Sequence, residues 1–334
     1  MKAARLVAFG NPPAFELVSL PDPLPADREV VVALEAASLN RRDSWIWRQP
    51  GYCRLPVTLG SDGAGIVEAV GGDVSGIAVG DEVVVYPVFG WRDGASVPMP
   101  GWDILGAPTD GTFAEKVVVP AANVVAKPPR LSWHQAATLG VAGLTAWRAT
   151  VTCARVGANS VVLVTGAGSG VSTFALQIAA AHGAAVYVTS STPKKIDSAA
   201  ALGASSGFSY RSDRWLEEAL AVAGRGFDIV IDGYGGTVWT PALRMLRDGG
   251  VLVTYGDTGT PEAKVEVMDV YWHWRSIVGT SMGSPSEFRA LLDHVGAATW
   301  VPAIDSVYAL EELAAAAERL DSAERFGKVV LAVA

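Results

Sequence analysis

Cysteine is all but missing from this chain: Cys53 and Cys153 are the only two among 334 residues. A disulfide scaffold is therefore excluded, and each thiol reads as a small buried hydrophobe. Histidine is nearly as scarce, and His134, His182, His273 and His294 are scattered, so solvent-facing or hydrogen-bonded roles are favoured over ligation. Charge is sparse too. Charged residues make up 18% of the sequence, the net charge is −8, and no basic cluster exceeds the pairs Arg41-Arg42 and Lys194-Lys195, so nucleic acid is not an expected partner. No apolar run approaches the roughly 18 residues of a membrane span. The start, Met1-Lys-Ala-Ala-Arg5, leads into a polar, proline-bearing segment instead of a signal-peptide core, so a cytoplasmic location without membrane contact is expected.

What is present is ample core material, with half of the residues apolar and a length that suggests two domains. Residues 1 to about 125 read as short strands broken by glycine and proline: Val30 to Leu34, Gly65 to Val70, Asp81 to Tyr86 and Phe113 to Val119. From Ser132 strands and helices alternate, through Val161–Thr165, Val171–His182, Ala185–Ser190, Lys194–Leu202, Asp213–Val222, Phe227–Asp232, a helical stretch to Arg247, Val251–Tyr255 and Ile277–Met282. Such alternation predicts an α/β fold with a doubly wound parallel sheet. The tail has one amphipathic helix, Glu311–Leu320, and a strand within Gly327–Val333, too little for its own core, so it is expected to return to the first domain. The expected division is 1–125, 126–268 and 269–334.

The most informative segment is Ser160-Val-Val-Leu-Val-Thr-Gly-Ala-Gly-Ser-Gly-Val171 with the helix behind it. A strand runs into a glycine turn, and Val171, Phe174, Ala175, Ile178 and Ala179 then recur at helical spacing. Gly166, Gly168 and Gly170 can adopt positive φ and bring the backbone close to a pyrophosphate at a helix N-terminus. Without a Gly-Lys-Ser/Thr sequence, a P-loop is excluded. A dinucleotide cofactor follows, with Gly166, Gly168, Ser169, Gly170 and Val171 as its phosphate contacts.

The end of the second strand of this unit decides which dinucleotide. An Asp or Glu there would bond the ribose of NAD and repel a 2′-phosphate. The sequence instead reads Thr189-Ser-Ser-Thr-Pro-Lys-Lys195, so NADP is expected, with Ser190 and Ser191 supplying hydroxyls and Lys194 charge.

Several motifs in fixed order resemble the medium-chain dehydrogenase/reductase superfamily, and within it the zinc-independent quinone oxidoreductase-like branch. They are Ser38-Leu-Asn-Arg-Arg-Asp43, Gly60-Ser-Asp-Gly-Ala-Gly65, Val79-Gly-Asp-Glu-Val83, Asp110-Gly-Thr-Phe-Ala-Glu115, Ala142-Gly-Leu-Thr-Ala-Trp147, the glycine loop, Phe227–Asp232 and Gly327-Lys-Val-Val-Leu331. The resemblance spans nearly the whole chain. It implies a GroES-like β-rich catalytic domain made from both chain ends, a Rossmann domain between them, an active site in the cleft and a homodimer. It also implies cofactor contacts from Lys194, Tyr210, Thr145, Tyr255, Gly256, Ser281 and Lys328. Where zinc-dependent relatives have a Cys near residue 40, a Gly-His-Glu motif and a four-cysteine lobe, this chain has Asn40, Gly60-Ser61-Asp62 and no cysteine in 90–106. No metal is expected. Ser172 stands where many relatives have the loop's last glycine, so looser helix packing is expected there.

Hydride transfer without a metal needs donors for the oxyanion or enolate that forms. By resemblance the catalytic candidates are Asn40 and Tyr52, and Trp45, Trp47 and Tyr52 line the substrate site, which suits a flat aromatic substrate. The leading expectation is an NADPH-dependent reductase of quinones or α,β-unsaturated carbonyls. A metal-free alcohol or carbonyl oxidoreductase and a nucleotide-binding protein with little turnover are the alternatives.

Overall fold

A computed structural model describes all residues, Met1–Ala334. The chain forms two compact units, Met1–Leu144 with Gly283–Ala334, and Thr145–Met282. Both divisions fall later than the sequence suggested. The helix Trp133–Ala136 packs on strands of the first unit, and Ser276–Gly279 is a strand of the second unit's sheet.

The first unit is built on a sheet in the order Val124–Ala126, Glu82–Val85, Asp62–Val70, Glu29–Ser38, Lys328–Ala332, Ile304–Ala309. Lys116–Pro120 also pairs with Glu29–Ser38. Alternating apolar residues of these strands, Val30, Val32, Leu34, Val67, Val83 and Val117 among them, bury one face into a core. The tail returns as expected: Val330 pairs with Ser38 in antiparallel register, and the helix Leu313–Asp321 packs Leu313, Ala316, Ala317 and Leu320 into a second core with Leu6, Leu39, Trp47 and Phe113. A small sheet of Ala14–Ser19, Lys2–Ala8 and Val57–Thr58 was not expected from the sequence pattern.

The second unit is one parallel sheet in the order Ser206–Ser209, Ala185–Ser190, Val161–Val164, Phe227–Asp232, Leu246–Thr254, Ser276–Gly279. Strand order reverses beside Val161–Val164, which opens a ligand crevice at the carboxyl ends of Val161–Val164 and Phe227–Asp232. Every residue of Phe227–Asp232 is buried, as a central parallel strand requires. The strand Ser206–Ser209 was not expected from sequence.

Candidate functional site

The glycine loop forms as its residues dictate. Gly166 (φ +66°) and Gly168 (φ +110°) take positive φ, whereas Gly170 does not and instead opens the helix Gly170–Ala181. Ser169 caps that helix, its Oγ accepting from Ser172 N at 3.1 Å. The N–H groups of Gly170 and Val171 belong to the first turn and have no acceptor within it. Ser172 does not loosen the packing: it is buried, and its Oγ lies 3.0 Å from the Gly166 carbonyl, tying helix to loop. Thr189, a residue that sequence reasoning passed over, steadies the loop from the neighbouring strand, accepting from Gly166 N and, through its carbonyl, from Ala167 N. Asp232 does the same from the other side: Thr165 Oγ1 donates to it at 2.5 Å, and it accepts from Gly235 N at 2.9 Å.

Ser190, Ser191, Lys194 and Tyr210 come together at the ends of two adjacent strands, where Tyr210 N donates to the Ser190 carbonyl at 3.1 Å. Ser190 Oγ is buried and has no partner. An orphaned buried hydroxyl costs on the order of 1–3 kcal/mol unless a ligand satisfies it. Lys194 is exposed in the first turn of the helix Pro193–Ala201, where the macrodipole disfavours a cation and no carboxylate compensates. These residues fit the phosphate end of a dinucleotide. Tyr255 lies beside Ser169 of the glycine loop, and burial raises its pKa. Its ring also fixes Gly233, since a Cβ there would lie 2.3 Å from the ring. Gly256 follows it, Ser281 is exposed, and Thr145 Oγ1 meets Met282 Sδ at 3.8 Å.

In the first unit the catalytic candidates separate. Tyr52 is half exposed, and its ring meets Trp45, also half exposed, edge to face at 5.0 Å. Trp47 is not a substrate contact. It is fully buried and packs edge-on against Phe15 at 5.9 Å. On the short helix Arg41–Trp47, two residues of separation turn a side chain by about 200°, so Trp45 outward puts Trp47 inward.

Asn40 is spent on structure, which corrects its assignment as a substrate donor. Its Nδ2 donates to Asp62 Oδ2 at 2.9 Å, and its Oδ1 accepts from Lys328 Nζ at 2.5 Å. Lys328 is corrected with it, because all three ammonium protons are used, on Asn40, on the Leu39 carbonyl at 2.8 Å and on Asp62 Oδ2 at 3.1 Å. Burial pulls the Lys328 pKa down, and the Asp62 carboxylate opposes it. Asp62 also accepts from Ser38 Oγ at 2.9 Å and Val141 N at 2.7 Å. Gly140 is required beside it, since a Cβ would sit 2.5 Å from Asp62 Oδ1. Asp43 lies at the edge of this network, its Oδ2 accepting from Asn40 N at 2.7 Å while Oδ1 has no partner, and burial pushes its pKa up to about 6. The segment 90–106 is held by protein groups: Arg42 donates to the Ile104 carbonyl and, just past the segment, to that of Ala107, and Trp91 meets Trp102 at 6.2 Å.

Two family profiles match the chain, the alcohol dehydrogenase GroES-like domain over residues 26–129 and the zinc-binding dehydrogenase over residues 170–297. A zinc-type alcohol dehydrogenase-like protein of Schizosaccharomyces pombe is 37% identical, over 91% of each chain. The quinone oxidoreductase of Pongo abelii is 30% identical over 99% of this chain and 97% of its own. Among solved structures, an NAD-dependent alcohol dehydrogenase superposes with a TM-score of 0.94 and 36% identity, each chain fully covered. The chain belongs to the medium-chain dehydrogenase/reductase superfamily and is an oxidoreductase with a GroES-like domain and a Rossmann domain.

The zinc in one of those family descriptions does not fit the residues present. No group of three or more His, Cys, Asp or Glu side chains converges anywhere. Where Asn40, Ser61 and Asp62 stand in place of ligands, the single carboxylate is already neutralised by an ammonium ion. No helix is long and apolar enough to cross a membrane.

Proposed function

We propose that the protein is an NADPH-dependent oxidoreductase that delivers a hydride to a quinone or α,β-unsaturated carbonyl without a metal. The observation that carries this is the Lys328–Asp62 pair: the one carboxylate in the stretch where the resemblance implies metal ligands meets an ammonium ion that is itself saturated by hydrogen bonds. Alcohol oxidation needs a base or Lewis acid at the hydroxyl, whereas a conjugated carbonyl needs only hydrogen-bond donors for the oxyanion.

The cofactor supplies the hydride from its nicotinamide ring. Gly170 and Val171 offer N–H donors to its pyrophosphate, and Ser190, Ser191, Lys194 and Tyr210 receive the ribose with its 2′-phosphate. Trp45 and Tyr52, set edge to face, present exposed aromatic surface suited to a flat aromatic substrate, and the Tyr52 phenol, which has no partner within the protein, can donate to the developing enolate. The homodimer belongs to the same proposal. Support for it comes from the outer strand Ser276–Gly279, whose free edge adjoins the exposed Tyr271, Trp272 and Trp274. Mass in solution checks it.

NADPH consumption against a panel of quinones and enones is the test. Turnover of NADPH with none of them, alongside NAD-linked oxidation of alcohols, would replace this proposal with a metal-free alcohol oxidoreductase, a reading to which the likeness to an NAD-dependent alcohol dehydrogenase structure lends support for the alcohol substrate. Cofactor binding without any turnover would leave a nucleotide-binding protein.

A further inference from the structure

The second unit carries a basic groove at the end of its sheet opposite the glycine loop. Two adjoining cavities, of 580 and 460 Å³, share Arg225 and Arg247. Their lining segments precede strands: Ser160 comes before Val161–Val164, Gly226 before Phe227–Asp232, and Arg275 before Ser276–Gly279, while Arg247 lies at the start of Leu246–Thr254. These are amino ends, and the dinucleotide residues follow carboxyl ends. A strand of this length sets the two sites about 15 Å apart.

The charges of the groove do not balance. Arg225 and Arg247 share a single carboxylate, Asp228, and Arg225 reaches it only at 3.5 Å. Asp228 also accepts from Val161 N at 2.7 Å. Arg275 makes no ion pair; its Nη2 donates to the Leu246 carbonyl at 2.5 Å and Nη1 to the Asp269 carbonyl at 3.4 Å, while Nε is buried without a partner. Arg155, at the far end, is exposed with neither hydrogen bond nor ion pair, and its backbone takes a positive φ of 53°. Arg244, by contrast, is satisfied by Glu266 and Asp269, and Asp248 is engaged by His273. Four guanidinium groups, Arg155, Arg225, Arg247 and Arg275, therefore line one groove against two carboxylates, Asp228 and Asp248, on a chain whose net charge is −8.

We infer that this groove binds a small polyphosphate ester or inorganic polyphosphate, with Arg155, Arg225, Arg247 and Arg275 as its ligands. Guanidinium forks match phosphoryl oxygens in pairs, and cations spread along two adjoining cavities suit an anion of linked phosphoryl groups better than a single one. Arg225, which is 71% exposed and holds Asp228 loosely, is free to swing onto the anion. The site is separate from the one that the cofactor proposal uses.

Calorimetric titration of the full chain with inorganic pyrophosphate, at matched ionic strength and with NADPH saturating, tests this. Expected is one pyrophosphate per chain, with binding weakened about tenfold or more in Arg225→Glu and again in Arg155→Glu. Both side chains are exposed, so circular dichroism should show both variants folded. Absence of binding, competition by NADPH, or unchanged affinity in the two variants would overturn it. The arginine variants localise the anion whether or not NADPH binds, so the outcome does not depend on the cofactor proposal.

Discussion

Lys328 Nζ lies 3.1 Å from Asp62 Oδ2, with both side chains shut off from water. Removing one partner of such a pair leaves a bare buried charge and costs about 3–5 kcal/mol, whereas removing both is far milder. Lys328→Met still leaves Asp62 the donors Ser38 Oγ, Asn40 Nδ2 and Val141 N. Asp62→Asn leaves the ammonium among neutral oxygens and is the costlier change. In urea denaturation both single variants should lose stability, Asp62→Asn more, and the double variant should lose less than the two combined. Additive losses would mean that the two groups act independently.

The same pair bears on metal. With Asp62 neutralised and no other ligand cluster, the purified protein should carry no stoichiometric zinc and keep its activity in a chelator. Activity lost on chelation and restored by zinc would contradict this.

The Rossmann unit was legible because its signals are local: the glycine turn sits between a strand and a helix, and Phe227–Asp232 is an apolar run interrupted within only by Asp228. The strand Ser206–Ser209 was not legible. Only Phe208 in it is buried, and its order comes from pairing with Tyr187 to Ser190, not from its own pattern. The roles of Asn40 and Lys328 were hidden for a different reason. Their contact joins positions 288 residues apart, and nothing local distinguishes a buried ammonium from one that meets a phosphate. The opposite facing of Trp45 and Trp47 was available from helical spacing, had the segment been read as a helix.

Lys194 stands exposed beside Ser190 and Ser191 without a carboxylate at the strand end. Lys194→Ala should remove one charge-assisted contact to a 2′-phosphate, worth roughly 1.5–3 kcal/mol, and weaken NADPH about ten- to hundredfold. NADH binding should barely change. Fluorescence titration with both cofactors checks this, and equal weakening of the two would assign Lys194 a structural role.

Asp43 gives a pH signature. Its folded pKa, about 6, is raised above the ordinary value of 3.8, so its contribution to stability is present below the lower value and lost as pH rises through the upper one. The loss is on the order of 3 kcal/mol between about pH 4 and 7. Asp43→Asn keeps an oxygen for Asn40 N and cannot ionise. The stability difference between wild type and Asp43→Asn should therefore shift in the variant's favour as pH rises from about 4 to 7. A difference that stays flat across that window, in urea melts at each pH, would place the Asp43 titration elsewhere.

Tyr52 and Asn40 now make opposite predictions, although sequence placed them together. The Tyr52 hydroxyl has no partner within the protein, and Phe would keep the edge contact with Trp45, so Tyr52→Phe should leave the melting temperature unchanged. If the phenol donates to the enolate, kcat and kcat/KM should fall together by about ten- to a thousandfold while NADPH affinity holds, because that bond exists mainly in the transition state. Asn40→Ala strips an acceptor from Lys328 and a donor from Asp62, so its first effect should be a lowered melting temperature. Full activity in Tyr52→Phe would leave ordered water as the donor. Asn40 has no free N–H to offer in its place, because its second amide hydrogen already faces the Ser38 carbonyl at 3.5 Å.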